Sequence, residues 1–291
     1  YGVGDSLFAF DAAGMLSWQF RATNALFGTD QFFNISPVIA DNGLIIVCAN
    51  PPLNFGGPLF AFKPDGTMAW QFDSSKIGRM PALAPTGELL VASEGRNRFF
   101  ALNIDGTLKW EAAPTPDIFR APSVRGDGVS FLPAGWAVRP DGSTIWTFRR
   151  RAGRSTAAIG RDGTAYFGTE GQPGEVPDPG SFQAVSTGGD IRWDYPSGSV
   201  ASSPAILPDD SLVFGTLSGK IVRLDKHGAR LWEFGAGAPV ESSPAVTADG
   251  VIWCGANNGK FYALNSDGTV RWQWQLGTAV KSSPAVTADG Q

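Results

Sequence analysis

The sequence predicts an all-β fold, a seven-bladed β-propeller of four-stranded antiparallel blades, on three observations. A Trp preceded four residues earlier by a Gly recurs seven times: Trp18, Trp70, Trp110, Trp146, Trp193, Trp232 and Trp272, after Gly14, Gly66, Gly106, Gly142, Gly189, Gly228 and Gly268. A Pro followed six residues later by a turn Gly recurs at Pro37/Gly43, Pro81/Gly87, Pro122/Gly128, Pro244/Gly250 and Pro284/Gly290. No stretch keeps a 3.6-residue apolar period over three turns without Gly or Pro interrupting it. A four-strand sheet repeated at about 40 residues is the pattern of propeller blades.

Each unit reads as a short PAV-like strand, an apolar run, an FYAL-like strand and a Trp-bearing strand, joined by Asp-Gly or Asn-Gly turns. Asn and Asp tolerate the left-handed conformation, and Gly adopts it without strain, so sequential hairpins follow. Along the chain, residues 1–20 supply the last three strands of a first blade, ending in FDAAGMLSW. The second blade starts at Pro37 and inserts NPPLNFGGP at 50–58. Blades three and four carry LNIDGTLKW and VRPDGSTIW. In the fifth, Ala157 replaces the Pro, and EGQPGEVPDPG is inserted at 170–180. In the sixth, Asp210 replaces the turn Gly; the seventh, 242–272, is the most regular copy. Residues 282–291, SSPAVTADGQ, then begin a unit that stops after one strand. Joined to 1–20 they would complete the first blade, removing an open edge and making 1–291 a single closed domain.

Composition narrows the function. Hydrophobic residues at 43% with 37 Gly and 21 Pro suit a filled core with many tight turns. Twenty-three basic against 27 acidic residues leave −4, so there is no basic excess for nucleic acid, and no apolar run is long enough for membrane insertion as a helix. Two cysteines, Cys48 and Cys254, make no disulfide framework, and a single His227 leaves little for a His-based metal site or triad. Both thiols fall on second strands and are expected to be buried, while His227 falls in a surface turn.

The seven Trp residues are expected on outer strands, packed flat between neighbouring blades as structural docking groups. Ala9, Ala61, Ala101, Ala137, Ala184 and Ala263 stand nine residues before their Trp and would leave room for an indole; blade six has Arg223 there, expected to reach outward to solvent.

The units, above all SSPAVTADGVIWCGANNGKFYALNSDGTVRW at 242–272, resemble the pyrroloquinoline-quinone-like propeller repeat family. The resemblance implies one of three activities: a quinone-dependent dehydrogenase, a scaffold in outer-membrane protein assembly, or an extracytoplasmic sensor. It also implies a bacterial protein of the periplasm or the extracellular space. The dehydrogenase branch implies pyrroloquinoline quinone with calcium, a vicinal Cys pair and an Asp base. The chain offers no residues to match them, and the expectation is a module without catalytic residues, metal or cofactor, acting as a monomer.

Variable loops on a rigid scaffold are where binding concentrates, so the face carrying the second-to-third loops and blade connections is the candidate surface for a protein partner or a small anionic or sugar ligand. Before the PAV-like strands stand Arg79, Arg120 and Arg154 from three consecutive junctions, with Arg149, Arg150 and Arg151 leading into the last. Guanidinium forks match carboxylate, phosphate or sulfate, so an anionic ligand or acidic partner segment is expected there, with Phe119, Glu241 and Lys281 at the same mouth. Carbohydrate chemistry by paired carboxylates is the remaining alternative, drawn from Glu170, Glu175, Asp178 and Glu241.

Overall fold

The computed structural model describes residues 2–3, 5–11, 13–21, 37–49, 57–77, 81–93, 98–113, 122–132, 135–147, 155–171 and 179–286. Among them every regular element is a strand. Two compact units divide the chain, 1–144 and 145–291. The sequence repeats appear as antiparallel sheets in chain order. The seventh blade is representative: Ala245–Val246, Ile252–Gly255, Lys260–Leu264 and Val270–Gln275, each paired with the next. Seven such blades make the chain an all-β propeller of the predicted class.

Burial explains the composition of each strand. Second and third strands are largely buried, and completely so in Leu89–Ser93, Phe182–Val185 and Leu212–Gly215. Their alternate residues serve two different interfaces, so they read as continuous apolar runs rather than alternating ones. The cores accordingly lie between sheets. Tyr166, Phe182 and Ala184 of blade five pack with Leu212, Phe214, Val222 and Leu224 of blade six. Phe182 and Phe214 stack with ring centroids 3.9 Å apart. Outer strands have only one covered side, and Ile191–Tyr195 and Leu108–Ala112 alternate between exposed and half-buried.

The docking Trp stands directly across the ladder from the small residue of its own blade, as Ala61↔Trp70 and Ala184↔Trp193 show, and in blade six Trp232 stands across from Arg223 instead. The indole then reaches the following blade. Nε1 donates to a turn carbonyl there: Trp18 to Pro64 (2.8 Å), Trp70 to Ile104 (2.9 Å), Trp110 to Pro140 (2.7 Å), Trp193 to Lys226 (3.0 Å) and Trp232 to Ser266 (2.9 Å). The turn glycine beneath is required twice over. At Gly228 φ is +86°, and a Cβ would sit 2.7 Å from the Trp193 ring. Trp146 lies on Gly189 in the same way, and Trp272 is the most exposed of the set at 37%.

As expected, the N-terminal segment gives the first blade three strands, Gly2–Val3, Ser6–Phe10 and Leu16–Arg21. Of the expected closing segment, Ser282–Val286 forms no strand, and 287–291 lies outside the described residues. The structure differs from the sequence reading at two points. Blades two and three share one sheet, because the long outer strand Met68–Ile77 places Ile77 opposite Ser93. The second difference is Arg223. Expected in solvent, it is 8% exposed because its cross-strand neighbour is the small Val213, and its guanidinium fills the space left.

Candidate functional site

Of the mouth residues, Arg79, Phe119, Arg120 and Arg154, together with Arg149–Arg151, lie outside the described residues. Glu241 and Lys281 are described, and they meet. Lys281 Nζ lies 3.0 Å from Glu241 Oε1, and the same oxygen accepts from Asn257 Nδ2 at 2.7 Å. Three segments converge here: the connection into blade seven, the connection leaving it, and its second-to-third loop. The loop is held by Asn257 N donating to the Pro239 carbonyl at 2.9 Å. Glu241 is largely covered, with 19% of its side chain exposed, against 60% for Lys281. A carboxylate held by an ammonium and an amide is an electrostatic staple between connections, and it presents the lysine head to solvent.

Ser155, Ser202 and Ser242, at the repeat positions equivalent to Arg79 and Arg120, are buried. Ser202 Oγ accepts from Gly215 N at 2.7 Å, and Ser155 Oγ accepts from Gly168 N at 3.2 Å. Each pins the innermost strand to the end of the second. The neighbouring serines stitch consecutive blades. Ser203 Oγ accepts from Thr156 N (2.9 Å), Ser243 Oγ from Ser203 N (2.9 Å) and Ser283 Oγ from Ser243 N (3.1 Å). The Ser-Ser-Pro repetition was the available signal, and alternation along the strand assigns one serine to each task. The insertion at 170–180 is pinched at its base, where Thr169 N donates to the Ser181 carbonyl at 2.7 Å and Ser181 N to Thr169 Oγ at 2.8 Å.

Cys48 and Cys254 are fully buried on second strands of the second and seventh blades, so they are not vicinal. Burial pushes the Cys254 thiol up to about 12, which keeps it protonated and unreactive at neutral pH. Among the described residues no three His, Cys, Asp or Glu side chains come together as a metal site. No helix of the described residues is long and apolar enough to cross a membrane.

Blades of this sequence and geometry define a β-propeller of quinoprotein-type repeats, independent of whether a quinone is bound. Residues 56–199 and 178–291 match the family described as outer membrane protein assembly factor BamB, and the chain belongs to that family. Among curated proteins none matches it. Two solved structures show the same fold. The crystal structure of BamB from Moraxella catarrhalis is 17% identical, with a TM-score of 0.72 over 99% of this chain and 88% of that one. A streptogramin B lyase structure is 16% identical, with a TM-score of 0.59 over 88% of each chain.

Proposed function

We propose that this chain is a non-catalytic protein-binding scaffold of the bacterial periplasm, built to hold partner proteins rather than to transform a substrate. The match of 56–199 and 178–291 to an assembly-factor family carries the reading. The chemistry supports it. At the described part of the mouth the one acid is held by a lysine and an amide, and both thiols are buried. The finer proposal keeps Arg79, Arg120 and Arg154, with Phe119, as the place on the variable-loop face where an acidic partner segment or small anion binds.

Photo-crosslinking residues at the exposed loop positions Ser218 and Asn258 test the scaffold. Discrete adducts in cell-envelope preparations are expected. Absence of adducts, together with a quinone or calcium retained by the purified protein in native mass spectrometry, would overturn it. Arg79→Ala combined with Arg120→Ala tests the finer point: a partner adduct that persists at wild-type yield removes the arginine cluster from recognition.

A further inference from the structure

The opposite set of loops, the short first-to-second and third-to-fourth turns, is not uniform at blades five to seven. Two grooves flank Ile206 of the innermost strand Ala205–Ile206. One, of about 440 Å³, has Tyr166, Trp193 and Ile206 among its lining, with Arg161, Lys226 and His227 around them. The other, of about 430 Å³, is about evenly polar and apolar and includes Ile159, Leu207, Pro208 and Val246. Arg161, Ile206 and Asp210 line both. Each volume lies within the roughly 300–1,000 Å³ range of ligand sites.

The sequence of blade five opens the first groove. Its turn begins with Gly160, where blades six and seven carry Leu207 and Thr247. A Cβ at 160 would press on the Tyr166 ring at 3.1 Å, so a side chain there would crowd the groove. Asp210 is the second departure. Among the described residues it is the one non-glycine with a left-handed backbone, φ 63°, at a turn position that five other blades give to glycine. That choice stands on the wall common to both grooves.

Charge around the groove is unevenly committed. Asp162 is fully engaged, accepting from Arg192 (2.6 Å), Thr164 N (3.0 Å) and Thr164 Oγ (2.7 Å). Arg161 is 85% exposed and reaches Asp210 only at 3.9 Å, while Lys226 makes no ion pair among the described residues. Arg161 and Lys226 outnumber the loosely paired Asp210, so the uncommitted balance is cationic, and it stands next to apolar side chains on either side of Ile206. We propose that this double groove binds an extended acidic peptide segment of a partner protein, with carboxylates on Arg161 and Lys226 and apolar side chains beside Ile206. The proposal rests on the scaffold reading and deepens it by naming a second surface and its partner chemistry.

The test is fluorescence anisotropy with a labelled short peptide of alternating glutamate and valine, against lysine–valine and glutamate–serine counterparts. The glutamate–valine peptide binds, and the counterparts bind at least several-fold more weakly. Arg161→Glu weakens binding about tenfold, as loss of a charge contact at an interface does, while Arg98→Glu on blade three leaves it unchanged. Asp210→Gly frees Arg161 and tightens binding about twofold to fivefold, the scale of an exposed ion pair. Since Arg161 is exposed and the glycine is the repeat's own residue, both variants fold. No binding, equal binding of the lysine peptide, or an unchanged Arg161→Glu overturns the proposal. If the adducts at Ser218 and Asn258 persist in that event, the scaffold reading survives; if they are lost as well, it falls.

Discussion

Blades five and six solve one packing problem in opposite ways. In blade five the cross-strand pair is Tyr166↔Ala184, with the large residue on the second strand. Blade six inverts it to Val213↔Arg223. The tyrosine fills its space with an apolar ring against Trp193, centroids 5.9 Å apart. The arginine fills the equivalent space with charge. Its Nε donates to Ser211 Oγ (2.8 Å), one terminal nitrogen to Asp209 (2.7 Å) and the other to the Ser266 carbonyl of blade seven. Trp232 donates to that same carbonyl, so at the junction of blades six and seven two side chains converge on one turn carbonyl, whereas at the junction of blades five and six the described donor to the Lys226 carbonyl is Trp193. Volume at a blade interface is conserved, and the chemistry that supplies it is not. The pair that uses a ring leaves its turn groove open, and the pair that uses a guanidinium ties the turn down.

The largest effect is expected where both junctions agree. Gly228→Ala puts a Cβ 2.7 Å from the Trp193 ring on a backbone with φ +86°. It should cost about 2–4 kcal/mol through strain and displaced indole. Gly250→Ala has the same hand of backbone, but its nearest neighbour is Ser266 Cβ at 3.5 Å. It should cost only about 1 kcal/mol. Denaturant midpoints of the two variants separate steric seating from backbone conformation, and equal losses would show that the indole yields freely.

Arg223→Ala comes next. It restores the residue found in the other blades, yet it should destabilise by about 2 kcal/mol, because it strips partners from Asp209 and Ser211 and leaves a void against Val213. Adding Val213→Tyr rebuilds the arrangement of blade five and should recover at least half of the loss. If the double variant is no better than the single one, the exchange of volume between the two blades is wrong.

These cases show what can be read from sequence. The Trp and Gly positions announced the blades because docking sets an indole on a turn glycine at six junctions. The Asp-Gly turns did so because a left-handed residue is needed at each. Arg223 was misplaced because its burial depends on the size of Val213 across the ladder, and register is a property of pairing. The separate tasks of the two serines in each Ser-Ser pair are not legible in sequence, because adjacent residues face opposite ways and the pair looks the same from either side. Of the residues expected at the mouth, Glu241 and Lys281 meet each other, and Asn257, which joins them, was missed, since it comes from a loop whose path only the fold supplies. The groove at Ile206 escaped notice because its opening is the absence of a side chain at Gly160.

The smallest effect concerns pH and divides the latch of blade six into its parts. Burial works to raise the Asp209 carboxyl, but the Ser211 hydroxyl, the Ser211 amide and Arg223 outweigh it and hold the group below the ordinary range. A carboxylate depressed on folding adds stability that is complete above its unfolded value, about 3.9, and is lost as pH falls from there through the folded one. Asp65, Asp105, Asp141 and Asp267 behave alike, each held down by the hydroxyl of the Thr or Ser two residues on. The wild type should therefore keep its midpoint from neutral pH to about pH 5 and lose stability below about pH 4. Asp209→Asn should flatten only a small part of that acid limb, because more than half of the Asp209 side chain is in solvent while Arg223 keeps Ser211 and the Ser266 carbonyl. A loss at neutral pH as large as that of Arg223→Ala would mean that the ion pair, and not the bonds to the serines, carries the latch.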